Sequence, residues 1–290
     1  MKQSATEYNA RGIELEDAGD IAEAEAWYRQ AADAAPEWAV PWYNLGLLYK
    51  RQRRWSDSLR AGRRAVELDP SEQDAWWNVG IAATALGDWR AAREAWTACG
   101  IEMPAGDGPP EMRLGMTPIR VNPSGDGEVL WCDRIDPARA IIRNVPLPES
   151  GHRFKDLLLH DGAPNGYRMS RGREVPVFDA LAILAPSSFS TWEVVVEAPS
   201  PDDCVALEEL AQDRGLGAED WSTIRRLCVM CSEGRPHASH DWVVEYEPAR
   251  RWGIAAHSES DVREILARWS AEAGREIESL RRVLEARSHN

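Results

Sequence analysis

The sequence predicts two architectures in one chain. An all-α superhelix of three helix pairs fills residues 1–106, and an α+β domain with a mainly antiparallel sheet fills 129–290, with 107–128 between them as a linker. Three observations predict it. A 34-residue period runs through the first third of the chain. After a stretch rich in Pro, Gly and Asp at 104–128, the apolar spacing changes from helical to alternating. From Ser258 a helical stripe returns.

The period is carried by five columns, each 34 residues apart: Tyr8, Trp42 and Trp76; Gly12, Gly46 and Gly80; Ile21, Trp55 and Trp89; Ala31, Ala65 and Cys99; Pro36, Pro70 and Pro104. A fixed period of this length marks a repeated structural unit that buries its core against its neighbours. Within the third copy Trp76, Val79, Gly80 and Ala83 keep helical spacing, Gly87 breaks the helix, and Trp89, Ala92, Trp96 and Cys99 mark a second. The small residue at Gly80 lets the two helices approach, and a proline closes each pair.

These columns resemble the tetratricopeptide repeat (TPR) family, with repeats at about 5–38, 39–72 and 73–106. The resemblance covers roughly a third of the chain and is specific for fold, not for ligand. The second repeat departs from the family pattern, with Arg53 at the turn glycine, Ser58 at the small alanine and Gly62 at the aromatic. Its second helix is therefore expected to be the loosest packed. The Pro- and Gly-rich residues after the third repeat cannot form the usual solubilising end helix, so the second domain is expected to cap the array.

The resemblance implies a groove lined by the first helix of each pair. Its positions here are Asn9 and Ile13, then Tyr43, Asn44 and Leu47, then Trp77, Asn78 and Ile81. Lys50 and Arg51 stand at one rim, Glu16 and Asp17 at another. The family's carboxylate clamp needs basic residues in the first and third repeats. Only Asn44 fits it, and Asp74 and Asn78 stand where bases are required, so no clamp is expected. The groove holds either an external peptide or protein or a part of this chain.

In the second domain, short apolar runs broken by Pro and Gly, "EVLWCDRID", "RAIIRNVPL", "FKDLLLHDG", "GYRMSR" and "EVPVFDALAIL", predict a small antiparallel sheet or partial barrel. "STWEVVVEA" alternates, with Trp192, Val194 and Val196 on one face and Glu193 and Glu197 on the other. A helix follows over "PDDCVALEELAQDRG", opening on Pro and two acids. "RRLCVMC", "DWVVEY" and "RWGIAAHS" read as strands. A long helix from Ser258 carries Val262, Ile265, Leu266, Trp269, Ala273, Ile277 and Leu280, with Gly274 as a bend. This last part resembles a split β-α-β, ferredoxin-like layer.

One segment, "CVMCSEGRPHASHD", puts Cys228, Cys231, His237 and His240 in Cys-x2-Cys-x5-His-x2-His order. Two chelating pairs joined by a short loop can give zinc four tetrahedral ligands. The short histidine gap and the apolar setting of the cysteines weigh against the metal, and the alternative is a strand and turn with buried thiols. A redox dithiol is a third reading, and it lacks a helix start to stabilise a thiolate. The expectation is a structural zinc and no other cofactor. His160 beside Asp161, and Cys132 beside Asp133, are strand neighbours that point apart and form no dyad. No Gly-rich phosphate loop, nucleophile elbow or His-Glu-x-x-His motif occurs in the sequence.

Charge and hydropathy narrow the function. The formal net charge of −14 argues against a general nucleic-acid or anionic-membrane binder. No run of about 18 apolar residues exists to cross a membrane, and "MKQSATEYNARGIELE" lacks the apolar core of a signal peptide. The expectation is a cytoplasmic, bacterial-type adaptor or scaffold that binds a protein or peptide in the repeat groove. Two alternatives remain open. One is an enzyme or modifier whose second domain acts on a recruited substrate; the other is a regulatory or immunity-type binder of one partner.

Overall fold

The computed structural model describes residues 4–125, 127–170, 172–223, 246–272 and 274–287. It divides into two compact units, Met1–Met112 with Asp136–Ala138, and Arg113–Ile135 with Arg139–Asn290.

The first unit holds three antiparallel helix pairs. They are α1 (Ala5–Asp17) with α2 (Ile21–Ala34), α3 (Ala39–Arg51) with α4 (Trp55–Leu68), and α5 (Gln73–Leu86) with α6 (Trp89–Ala98). Helix α1 starts on a capping box in which the Ser4 side chain accepts from the Glu7 N–H and the Glu7 carboxylate accepts from the Ser4 N–H. Each pair turns through one left-handed residue at the same column: Gly19 (φ 84°), Arg53 (φ 59°) and Gly87 (φ 71°). Arg53 is the strained member, because a Cβ in that region crowds the following carbonyl.

The helix crossings are closed in two ways. A methyl added to Gly12 would lie 2.6 Å from the Tyr28 ring, and one added to Gly80 would lie 2.7 Å from the Trp96 ring. In the second pair the expected looseness is not found. With glycine at position 62 in place of an aromatic, the backbones close on one another, and a Gly46 methyl would lie 3.3 Å from the Gly62 nitrogen. The Ser58 hydroxyl seals this contact, donating to the Gly46 carbonyl at 2.8 Å.

The second unit begins inside the stretch read as a linker, with β1 at Gly115–Val121. Four strands follow: β2 (Glu128–Arg134), β3 (Arg139–Ile142), β4 (Leu157–Ser170) and β5 (Arg173–Ala185). They form a closed barrel in sequence order. Five strands in a meander must close on one parallel pair, and that pair is β1–β5, through Ile119↔Phe178 and Arg120↔Asp179. Residues 157–162 of "FKDLLLHDG" and 166–170 of "GYRMSR" belong to one bulged strand, β4, not two. The barrel is filled by Ile119, Val121, Leu130, Ile142, Leu158 and Phe178.

Beyond the barrel lie β6 (Ser190–Glu197), α7 (Pro201–Asp213), β7 (Gly217–Asp220), β8 (Ala249–Ala256), α8 (Glu259–Ser270) and β9 (Glu276–Leu284). The strands form a four-stranded sheet in the order β7-β8-β6-β9, antiparallel throughout. Trp192, Val194 and Val196 of β6 join Leu207 of α7 and Val262, Ile265, Leu266 and Trp269 of α8 in one buried core.

The long helix expected from Ser258 is shorter than its stripe. It starts as predicted, on a capping box between Ser258 and Asp261, and ends at Ser270. Gly274 then takes φ 81°, with Pro199 only 3.0 Å from where a Cβ would stand, so the chain reverses. Ile277 and Leu280 lie on strand β9, not on the helix.

Candidate peptide-binding face of the repeat unit

The eight groove positions sit on α1, α3 and α5, and their exposure differs along the array. Ile13 on α1 is 44% exposed, while Tyr43, Asn44 and Leu47 on α3 are half-buried. On α5, Asn78 is buried and Ile81 has no exposed surface at all. Trp77 meets Trp96 edge to face with ring centroids 5.1 Å apart, so part of its ring belongs to the α5–α6 contact. Asn9 on α1 is buried as well, so the accessible part of the predicted face is Ile13 with the half-buried Tyr43, Asn44, Leu47 and Trp77.

Two amide contacts tie these helices together. The Asn44 Nδ2 donates to the Asn9 Oδ1 at 2.9 Å. The Asn78 side chain bonds the Tyr43 phenol, whose pKa is raised mainly by burial and further by the Asp74 and Glu72 charges. Such a face offers an aromatic ring, aliphatic surface and oriented amides, which match a polypeptide backbone with apolar side chains.

The rims are more neutral than the sequence implies. Glu16 accepts from the Tyr28 hydroxyl at 2.8 Å and forms an ion pair with Arg51. The arginines of the basic cluster are likewise paired: Arg54 with Glu25 and Asp57, Arg60 with Asp57, Arg63 with Asp88, and Arg64 with Glu37 and Glu67.

A polar network on another side of the unit has no signature in the sequence. The Tyr49 hydroxyl donates to Glu25 at 3.0 Å and accepts from Arg29 at 3.1 Å, while Arg54 stacks 4.3 Å over the Tyr49 ring. It borders a cleft of about 300 Å³ that Trp42, Leu45, Asp57 and Arg60 also line. Glu25 and Arg29 come from α2, Tyr49 from α3 and Arg54 from the N-cap of α4, and the bonds that join α2 to the other two span 20 to 29 residues, beyond any motif window.

In the second unit neither neighbouring pair makes a reactive site. His160 is fully buried in the barrel, 5.3 Å from the Phe178 ring, and neither ring nitrogen has a partner among the described residues. Burial, with a smaller push from Arg134, lowers its pKa to about 3, so the ring is neutral. Burial raises the Cys132 thiol far above its ordinary range, which leaves it protonated. Cys228, Cys231, His237 and His240 lie outside the described residues. Among the described residues no cluster of three His, Cys, Asp or Glu side chains is arranged to hold a metal ion.

Residues 39–72 match the tetratricopeptide repeat family, and these bounds are those of the second repeat read from the sequence. No curated protein matches the chain. Among solved structures, the second TPR of Spaghetti (RPAP3), bound to the HSP90 peptide SRMEEVD, is 23% identical with a TM-score of 0.32, over 33% of this chain and 90% of that one. The Sgt2 TPR domain from Aspergillus fumigatus is 21% identical with a TM-score of 0.31, over 33% of this chain and 63% of that one. The TPR2B domain of yeast Sti1, in a complex with pHsp70, is 23% identical with a TM-score of 0.31, over 33% of this chain and 76% of that one. The N-terminal region of this chain thus carries a tetratricopeptide repeat. No helix among the described residues is long and apolar enough to cross a membrane.

Proposed function

We propose that the protein is a protein–protein interaction adaptor or scaffold that holds a peptide or protein segment against the first helices of its repeats. The observation that carries this reading is the accessible part of α1 and α3, where Ile13 is exposed, Tyr43, Asn44 and Leu47 are half-buried, and the buried Asn9 holds the Asn44 amide. The tetratricopeptide match at 39–72 supports it, because it falls on the repeat that contributes most of that face. The second unit supplies a further surface, and its strand-helix-strand, strand-helix-strand order agrees with a ferredoxin-like layer. The site of action is the cytoplasm.

Co-purification with the full chain as bait tests the reading. The double variant Tyr43→Ala, Leu47→Asp should lose the partners that the wild type retains, with an unchanged circular dichroism spectrum. Retention of the same partners by the folded variant would refute the groove as the binding face.

A further inference from the structure

Strand β9 lies at one edge of the four-stranded sheet and takes no part in the peptide-binding reading. Among the described strands it pairs with β6 alone. Apart from that pairing, no backbone group of Glu276–Leu284 bonds another described residue. An edge this long offers a row of N–H and C=O groups to any strand that matches it. Its side chains are mostly exposed, Ile277 to 39%.

Read about Leu280, the strand is complementary to itself. The run "IESLRRV", residues 277–283, has Ile277 and Val283 at its ends, with Glu278 and Arg282 two residues to either side of Leu280. Antiparallel pairing of two copies about a dyad at Leu280 sets Glu278 opposite Arg282 of the second copy and Ile277 opposite its Val283. Symmetry makes each pair twice. The faces agree as well. Ser279 and Arg281 stand opposite Val195 and Glu193 on one face of the sheet, while Leu280 and Arg282 stand opposite Val194 and Trp192 on the other. A register one residue away would set side chains of opposite faces against each other.

We propose that β9 is the contact surface for a second copy of this chain, paired antiparallel edge to edge so that one sheet runs through both copies. Cross-strand pairs of opposite charge and of apolar side chains favour such pairing, and like charges oppose it. The charges it needs are not held elsewhere. Arg282 reaches Glu285 at 3.3 Å with both side chains more than half exposed, a surface pair worth little. Glu278 is exposed and forms no ion pair among the described residues. Arg281, by contrast, is committed to the buried Glu193 of its own sheet at 2.7 Å. The ladder with β6 is irregular at Glu278 and Val283, and bulges of this kind guard the edges of monomeric proteins. A monomer is therefore the competing outcome.

Sedimentation velocity of the full chain from about 1 to 100 μM tests the pairing. Wild type should reach twice the chain mass at the upper end. Glu278→Arg and Arg282→Glu, each with an unchanged circular dichroism spectrum, set like charges at both symmetry-related pairs. Each should weaken dimerisation at least tenfold. The double variant Glu278→Arg, Arg282→Glu exchanges the charges and should restore it. The two single variants, mixed, should pair with each other, because each then meets opposite charge at both positions. A wild type that stays monomeric would overturn the proposal, and so would a dimer that neither single variant weakens. A double variant no tighter than the singles would also overturn it. If one single variant fails to fold, the double variant against the other single decides.

Discussion

The first and third repeats differ from the second in how their helices meet. In the outer two, a glycine on the first helix lies beneath an aromatic ring from the second, Gly12 under Tyr28 and Gly80 under Trp96. In the middle one the ring is missing, and glycine meets glycine with the backbones in near contact. The same 34-residue period therefore accommodates two solutions to one packing problem. The helix crossing must be filled to the density of a protein interior. Side-chain volume fills it in one case, and helix approach does so in the other. The space at position 62 is also taken from the far side, since a methyl there would lie 2.8 Å from Val79 Cγ2 of α5.

Three substitutions sharpen or break this comparison. The largest effect is expected for Gly80→Ala. Its methyl would meet three atoms of the Trp96 ring between 2.7 and 2.8 Å, and the ring is fully buried with nowhere to move. Overpacking of this kind costs about 1–3 kcal/mol and should exceed the gain in helix propensity. Chemical denaturation would check it, and a stabilised variant would break the account of the outer repeats.

Tyr28→Phe comes next. The Tyr28 hydroxyl donates to Glu16, and burial holds the phenol far above its ordinary pKa, so it is a donor at any working pH. Removing it should cost about 1–2 kcal/mol in urea unfolding. An unchanged midpoint with an unchanged slope would mean that water replaces the bond without loss.

The smallest effect is expected for Gly46→Ala. Its methyl would stand 3.3 Å from the Gly62 nitrogen, tight but within the give of two helices. A helix-propensity gain of about 1 kcal/mol opposes that strain, so the unfolding midpoint should barely move. A loss as large as that of Gly80→Ala would show that the middle crossing is as rigid as the outer ones.

These contrasts also show what was legible in the sequence. The period was legible because helix-pair packing leaves a residue type at each fixed column, down to the left-handed turns at Gly19, Arg53 and Gly87. The closing of α3 on α4 was not, because Gly62 in a column of aromatics reads as a void and the remedy is a backbone shift. Strand β1 was hidden because Pro118 and the flanking glycines look like a linker. In the structure Pro118 pairs with Trp131 inside a seven-residue strand. Strand β9 was hidden for the opposite reason. Ile277 and Leu280 continue the helical spacing of α8, and β9 pairs with β6 alone among the described strands, so exposure blurs its alternation.

Of the candidate groove, the helices that carry its eight positions were legible from the repeat register. The burial of Asn9, Asn78 and Ile81 was not, since it depends on neighbours that the repeat pattern does not specify. The Cys228, Cys231, His237 and His240 segment lies outside the described residues, so zinc binding rests on spacing alone.

The most direct measurement compares the affinity of a co-purified partner for three forms of the full chain. They are wild type, Tyr43→Ala on the proposed face, and Arg60→Ala beside the cleft lined by Trp42 and Tyr49. Binding through the first helices predicts at least tenfold weaker binding for Tyr43→Ala and no change for Arg60→Ala. Equal affinity of Tyr43→Ala and wild type, with Arg60→Ala impaired, would contradict it and move the binding site to the other side of the repeats.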